Sequence, residues 1–217
     1  MPPTPKKPIV CYVTDRKAFG PADPLRSLLE KIRAAGGAGV DWVQIREKDL
    51  QARELLELAR QAVAGTTARV LINDRLDVAL AAGAAGVHLG HESATARVVV
   101  RWSRAGNAPA EFLVGVSCHN LEEAREAESA GANYIFFGPV FDTPSKRSFG
   151  PPQGITRLNK VCRVVRIPVI AIGGVNEENA TECAHAGASG IAAIRLFQEA
   201  ADAAALRDTV ARLHRIA

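Results

Sequence analysis

The sequence is poor in aromatic side chains, which make up 5% of its 217 residues, so a core built from it has to be filled by Ala, Val, Leu and Ile. That small and branched mixture suits parallel strands covered by helices. Cysteine is sparse as well. Cys11, Cys118, Cys162 and Cys183 include no CxxC pair and no ligand-like cluster, which argues for reduced buried thiols over a disulfide framework or a zinc site. No apolar run reaches the roughly 18 residues of a membrane span, and the stretch from Met1 to Lys7 is polar and Pro-rich without an apolar centre. We therefore expect a cytoplasmic protein with no membrane segment. Basic runs are missing too: 27 Lys and Arg stand against 23 Asp and Glu, a formal net charge of +4, scattered along the chain. Nucleic acid is not an expected partner. A modest cationic excess suits phosphorylated small molecules bound in a concave site.

What is present is enough material for one sizeable core, with 47% hydrophobic and 23% charged residues, a balance that excludes a disordered chain. A recurring phrase organises it. An Ala-rich helical stretch runs into Ala-Gly and then into an apolar run at Gly39, Gly83, Gly131 and Gly187. Glycine just past a helix takes positive φ and closes the end, and the short apolar run that follows has no polar alternation, so both its faces are buried. The spacings of 44, 48 and 56 residues are too long for one β/α unit and suit two.

Strands are expected at Ile9–Thr14, Trp42–Ile45, Arg69–Ile72, Gly86–Leu89, Phe112–Val116, Tyr134–Phe137, Val169–Ile172 and Gly190–Ile194. Helical patterns at Leu25–Ala34, Ala52–Ala64, Leu121–Ala130 and Glu177–Ala186 lie between them, with Asn120 and Asn176 as capping residues. Eight alternations predict an α/β chain folded as a single (β/α)8 TIM barrel over residues 9–217, behind a loose tail at 1–8. An open doubly wound sheet is the alternative.

In such a barrel the chemistry belongs at the C-terminal ends of the strands. Those positions hold Gln44, Arg46 and Lys48; Asn73 and Asp74; Gly90 and His91; Ser117 and His119; Gly138, Thr143, Ser145 and Lys146; Gly173 and Gly174; and Arg195. Arg46 and Lys48 are two apart and share a face, and Lys146 reaches the mouth from the other side, a set of cations suited to a diphosphate. Asp74 among them suits a Mg²⁺ that bridges the same oxygens. Gly173-Gly174 lets backbone N–H groups approach a second phosphate. His88 and His91 lack the spacing and the third ligand of a zinc site, and Cys118 beside His119 is expected to pack in the core, since neighbours on extended backbone point apart.

The segments Val13-Thr14-Asp15, Val43 to Lys48, Leu71 to Arg75, Gly86 to Gly90, Gly138 to Lys146 and Ala171 to Val175 resemble those of the thiamine phosphate synthase family, in order from about Ile9 to Phe197. The resemblance implies that hydroxymethylpyrimidine diphosphate and a thiazole phosphate are joined with release of diphosphate. It implies pyrimidine-diphosphate contacts from Gln44, Arg46, Lys48 and Asn73, a Mg²⁺ ligand in Asp74, a diphosphate lysine in Lys146 and a serine near the reacting groups in Ser117. Thr143 and Ser145 match thiazole-side hydroxyls, and Gly173-Gly174 matches the thiazole phosphate cradle. The fold family also suggests a small homo-oligomer.

This chain departs from the family at two places. The loop after strand four reads Gly90-His91-Glu92-Ser93, where synthases usually carry Gly-Gln-x-Asp with a second metal carboxylate, and Arg195 stands where a phosphate-binding Ser is usual. A serine at the first place resembles the TenI-like thiazole tautomerases, the family's other branch, in which His119 matches the proton shuttle. That branch is the alternative activity. A third reading is a barrel that binds phosphates without turnover.

Overall fold

Short apolar runs that bury both faces become the staves of a closed sheet. The structure is a computed structural model that describes residues 7–143 and 151–216. Its strands are β1 (Ile9–Val13), β2 (Trp42–Ile45), β3 (Arg69–Asn73), β4 (Gly86–Leu89), β5 (Leu113–Cys118), β6 (Tyr134–Phe137), β7 (Val169–Ile172) and β8 (Gly190–Ala193). All pair in parallel with their sequence neighbours, and β1 closes on β8 through Ile9 opposite Gly190, so the open-sheet alternative is set aside. Helices α1 (Pro24–Gly37), α2 (Ala52–Gly65), α3 (Leu76–Ala81), α4 (Ala96–Trp102), α5 (Leu121–Ala130), α6 (Gly154–Val164), α7 (Ala180–His185), α8 (Arg195–Gln198) and α9 (Ala203–Leu213) form the outer ring. Gly39, Gly83, Gly131 and Gly187 all take positive φ, between 66° and 97°, as the repeated Ala-Gly phrase requires.

Several boundaries differ from expectation for local reasons. β5 starts one residue later because the N–H of Phe112 closes a turn onto Pro109, and it runs on to Cys118. α7 begins at Ala180, behind Asn179; the Asn176 side chain caps the preceding turn, accepting from the N–H groups of Glu178 and Asn179 at 3.0 Å each. Asn120 does cap α5, accepting from the N–H of Glu123 at 2.8 Å. Among the described residues no helix is long and apolar enough to cross a membrane.

Alternation along the strands divides the core in two. Val10, Tyr12, Val43, Ile45, Val70, Ile72, Ile135 and Phe137 face the helices, and Cys11, Val13, Trp42, Leu71, Tyr134, Phe136, Ile170 and Ala192 pack inside the barrel. The inward parity sets the site. Trp42, Gln44 and Arg46 form one rising column, Leu71 and Asn73 the next, then Gly86 and His88, then Leu113, Gly115 and Ser117.

Candidate active site

The tops of β2, β3 and β4 are joined by one chain of side-chain hydrogen bonds. Gln44, only 2% exposed, donates from Nε2 to Asn73 Oδ1 at 3.0 Å, and Asn73 Nδ2 donates to Asp74 Oδ2 at 2.5 Å. The order is forced, because a carboxylate only accepts and so the amide nitrogen of Asn73 must face it. Oδ1 of Asp74 accepts the N–H of Gly90 at 3.0 Å and the hydroxyl of Ser93, and Gly90 N–H also lies 2.7 Å from Ser93 Oγ. Lys48 Nζ stands 3.9 Å from Oδ2. Asp74 itself has φ 61°, a left-handed conformation that a short polar side chain tolerates best and that turns the carboxylate off the strand.

This donor set decides what Asp74 offers a cation. Its Oδ1 is filled by two donors, and its Oδ2 keeps a lone pair on the side of Lys48. No group of three His, Cys, Asp or Glu side chains is arranged to hold a metal among the described residues. These residues fit a Mg²⁺ only as an ion with one protein carboxylate, Asp74, whose other ligands would have to come from outside the chain.

Behind Arg46 and Lys48 lies a support that the sequence reading did not single out. Glu47 has the opposite parity, points away from the mouth and is 4% exposed. It accepts from Thr14 Oγ1 at 2.6 Å, from the Arg16 N–H at 3.1 Å and from Arg16 Nη1 at 3.1 Å, while Thr14 Oγ1 accepts the Arg46 N–H at 3.0 Å. Arg16 also forks onto Asp49 at 2.7 and 3.0 Å, which holds the Asp49 carboxyl below the usual range. The turn that carries both candidate cations is thereby tied to the end of β1. A carboxylate between two cations that face the mouth was the available signal, since by parity it turns toward the helix layer, where a buried charge needs partners. Arg46 is half-buried and Lys48 exposed.

On the other side of the mouth, Ser117 Oγ lies 2.9 Å from Nε2 of His88, a residue that is 1% exposed inside the barrel. Burial pushes the His88 pKa down to about 3, so the ring is neutral. His91 is exposed. His119 is exposed as well; its Nδ1 lies 2.6 Å from the carbonyl oxygen of Gly138, and its N–H is taken by Glu123 at the start of α5. Cys118 is buried, and burial raises its thiol to about 12, which makes it a packing residue as expected.

Gly173 and Gly174 have φ 93° and 68°. A Cβ on Gly173 would lie 2.5 Å from Pro139 Cα, and one on Gly174 2.6 Å from the Asp142 carbonyl oxygen. The pair is thus required by the loop after β6, whose Val140 and Phe141 N–H groups bond Ile172 and Gly173 carbonyls at 2.9 Å. Thr143 is half-buried at the edge of that loop, and Ser145 and Lys146 lie outside the described residues. Arg195 opens α8, exposed and without a side-chain hydrogen bond or ion pair among the described residues, so it does not plug the mouth through a polar contact.

The family model for thiamine monophosphate synthase matches residues 10–197. The chain belongs to this family. A Geobacter sulfurreducens relative is 48% identical over 185 residues, covering 84% of this chain and 83% of its own. The thiamine-phosphate synthase of Moorella thermoacetica is 41% identical over 194 residues, with 86% of this chain and 90% of that protein covered. The structure of a thiamine phosphate pyrophosphorylase from Pyrococcus furiosus superposes with a TM-score of 0.79 at 34% identity, covering 97% of this chain and 96% of that one. Family membership accounts for the shared barrel and for the order of the strand-end segments.

Proposed function

We propose that the protein is a thiamine phosphate synthase, a transferase that joins hydroxymethylpyrimidine diphosphate to a thiazole phosphate and releases diphosphate. The observation that carries this reading is the Gln44–Asn73–Asp74 chain beside Lys48, on the column that Arg46 caps. An amide pair of fixed orientation suits the donor and acceptor edge of an aminopyrimidine, and cations above it suit the departing group. The reaction needs charge stabilised on a leaving diphosphate more than it needs a strong base, because the thiazole nitrogen attacks with its own lone pair. Arg46 forks onto those oxygens, Lys48 and Lys146 add point charges, and Ser117 meets the reacting groups from β5. Mg²⁺, held by Asp74, would neutralise diphosphate charge when bound. Thr143, Ser145 and the Gly173-Gly174 turn take the thiazole side, with Arg195 in the role of the serine usual at its phosphate.

The tautomerase reading has one observation in its favour. His119 Nδ1 lies 2.6 Å from the Gly138 carbonyl oxygen and so donates to it, which leaves Nε2 as the ring nitrogen that would exchange a proton with a substrate. One assay separates the readings. Purified protein with both synthase substrates and Mg²⁺ is expected to form thiamine phosphate well above the no-enzyme level. Background-level product together with His119-dependent aromatisation of the thiazole tautomer transfers the assignment to the tautomerase. Phosphate binding with neither product leaves a non-catalytic barrel.

A further inference from the structure

Three residues from three strands form a hydrogen-bonded chain that rises through the barrel to its mouth. Tyr134 opens β6 and is 1% exposed; its hydroxyl lies 3.1 Å from His88 Nδ1, and His88 Nε2 lies 2.9 Å from Ser117 Oγ. The rings are packed firmly, with the His88 centroid 4.2 Å from Phe136 and the Tyr134 centroid 4.7 Å from Trp42. The fold makes room for the phenol on purpose of size alone: a Cβ at Gly115 would fall 2.0 Å from the Tyr134 ring, so only glycine on β5 admits it.

Which atom donates at each link follows from accounting for every hydrogen. If His88 were an imidazolium, or neutral with its proton on Nδ1, the ring would donate to the Tyr134 oxygen, and the phenol's own hydrogen would need a second acceptor. Among the described residues the Tyr134 hydroxyl has no partner except His88. Both assignments leave a buried donor unpaired, with its desolvation penalty uncompensated. The remaining assignment satisfies both buried groups, Tyr134 and His88. Tyr134 donates to Nδ1, the ring proton sits on Nε2, and Nε2–H donates to Ser117 Oγ. Ser117 then has its own hydrogen left over, and among the described residues no acceptor takes it.

We infer that Tyr134 is a positioning residue that acts through His88 to present the Ser117 hydroxyl at the barrel mouth as a hydrogen-bond donor to a lone-pair-bearing atom of the bound substrate. The inference rests on the synthase reading for the identity of that substrate and on nothing else in it. With the polarity reversed, Ser117 would be spent as a donor to His88 and would meet the substrate only as an acceptor.

The tautomer is measured on the substrate-free protein by long-range ¹H–¹⁵N correlation of ring-labelled histidine, with the His88 signals assigned by their loss in His88→Gln. The expected result for the unmodified protein is a single neutral form protonated on Nε2; a form protonated on Nδ1, or an imidazolium at neutral pH, overturns the inference. Tyr134→Phe keeps the ring packing and is expected to end the dominance of that one tautomer. In turnover, Tyr134→Phe is expected to lower kcat/KM about fivefold, the scale of one hydrogen bond. Placed in a Ser117→Ala background, the same change should cost almost nothing further, because its effect passes through Ser117. An undiminished fivefold loss in that background overturns the relay. If the unmodified protein forms no thiamine phosphate, the assigned activity fails, and the tautomer of His88 still decides the direction of the chain.

Discussion

Asp74 is held in place by donors where a paired metal site would give it a second carboxylate. Gly90 N–H and Ser93 hydroxyl fill one oxygen, and Asn73 and Lys48 attend the other. Ser93→Asp would set a second carboxylate against the first, and with pyrophosphate present calorimetry is expected to show Mg²⁺ bound about tenfold more tightly. Unchanged Mg²⁺ affinity would mean that position 93 does not face the metal. At this scale the sequence displayed the cations, Asp74 and the odd serine, because residue type and parity are visible in it. It did not display Glu47 as the buried anchor of Arg46, nor His88 as the link between Tyr134 and Ser117, because both depend on partners 29 or more positions away.

Helix α9 is the element that latches the ring shut from outside. Its Thr209 and Arg212 bond Glu177 at the start of the turn before α7, and His214, just past its end, bonds Asp41 ahead of β2 at 2.8 Å. Asp41 also accepts the Val10 N–H at 2.9 Å and pairs with Lys7 at 3.0 Å. Burial works against ionisation of Asp41, yet the Val10 N–H, His214 and Lys7 together hold its pKa below the usual carboxylate value; Arg212 and then Thr209 do the same for Glu177. A carboxylate with a depressed folded pKa stabilises the fold above its unfolded pKa and loses that contribution as pH falls through the folded value. The urea midpoint is therefore expected to hold between neutrality and pH ~5 and to drop below pH ~4, the unfolded carboxylate range. The double change Asp41→Asn with Glu177→Gln should lower the plateau and flatten the drop; an equally steep drop would place the acid sensitivity elsewhere. Element identity was well marked in the sequence, since β2, β4, β6, β7 and α5 fall where the apolar runs and caps put them. α7 was overextended because Asn176 signals a cap without saying whether a helix or a single turn follows.

For the molecule as a whole, the mouth gathers side chains from at least four strand ends, so an anion bound there ties the staves together and favours the folded state by mass action. Pyrophosphate with Mg²⁺ at about 100 times its Kd should add about 2.7 kcal/mol, a rise in Tm of roughly 5–10 °C for a chain of this size. The double variant Arg46→Ala, Lys48→Ala is expected to lose most of that rise, and a full rise in the variant would move the anion away from the β2 turn. On such an anion the scattered +4 charge would act through placement and not through its total. The sequence by itself determined the alternation, eight buried apolar runs each followed by a helix and punctuated by glycines of positive φ, and the pairing of β1 with β8 decided for the closed barrel over an open sheet. It also determined which residue types stand at the strand ends, because a period of two is a local property. Tertiary structure decided what those residues touch. Whether Ser93 meets Asp74, whether Gly115 clears a space for Tyr134, and which way the hydrogen bonds run to Ser117 are set by register between strands and by the packing of side chains far apart in the chain, and no local pattern encodes those.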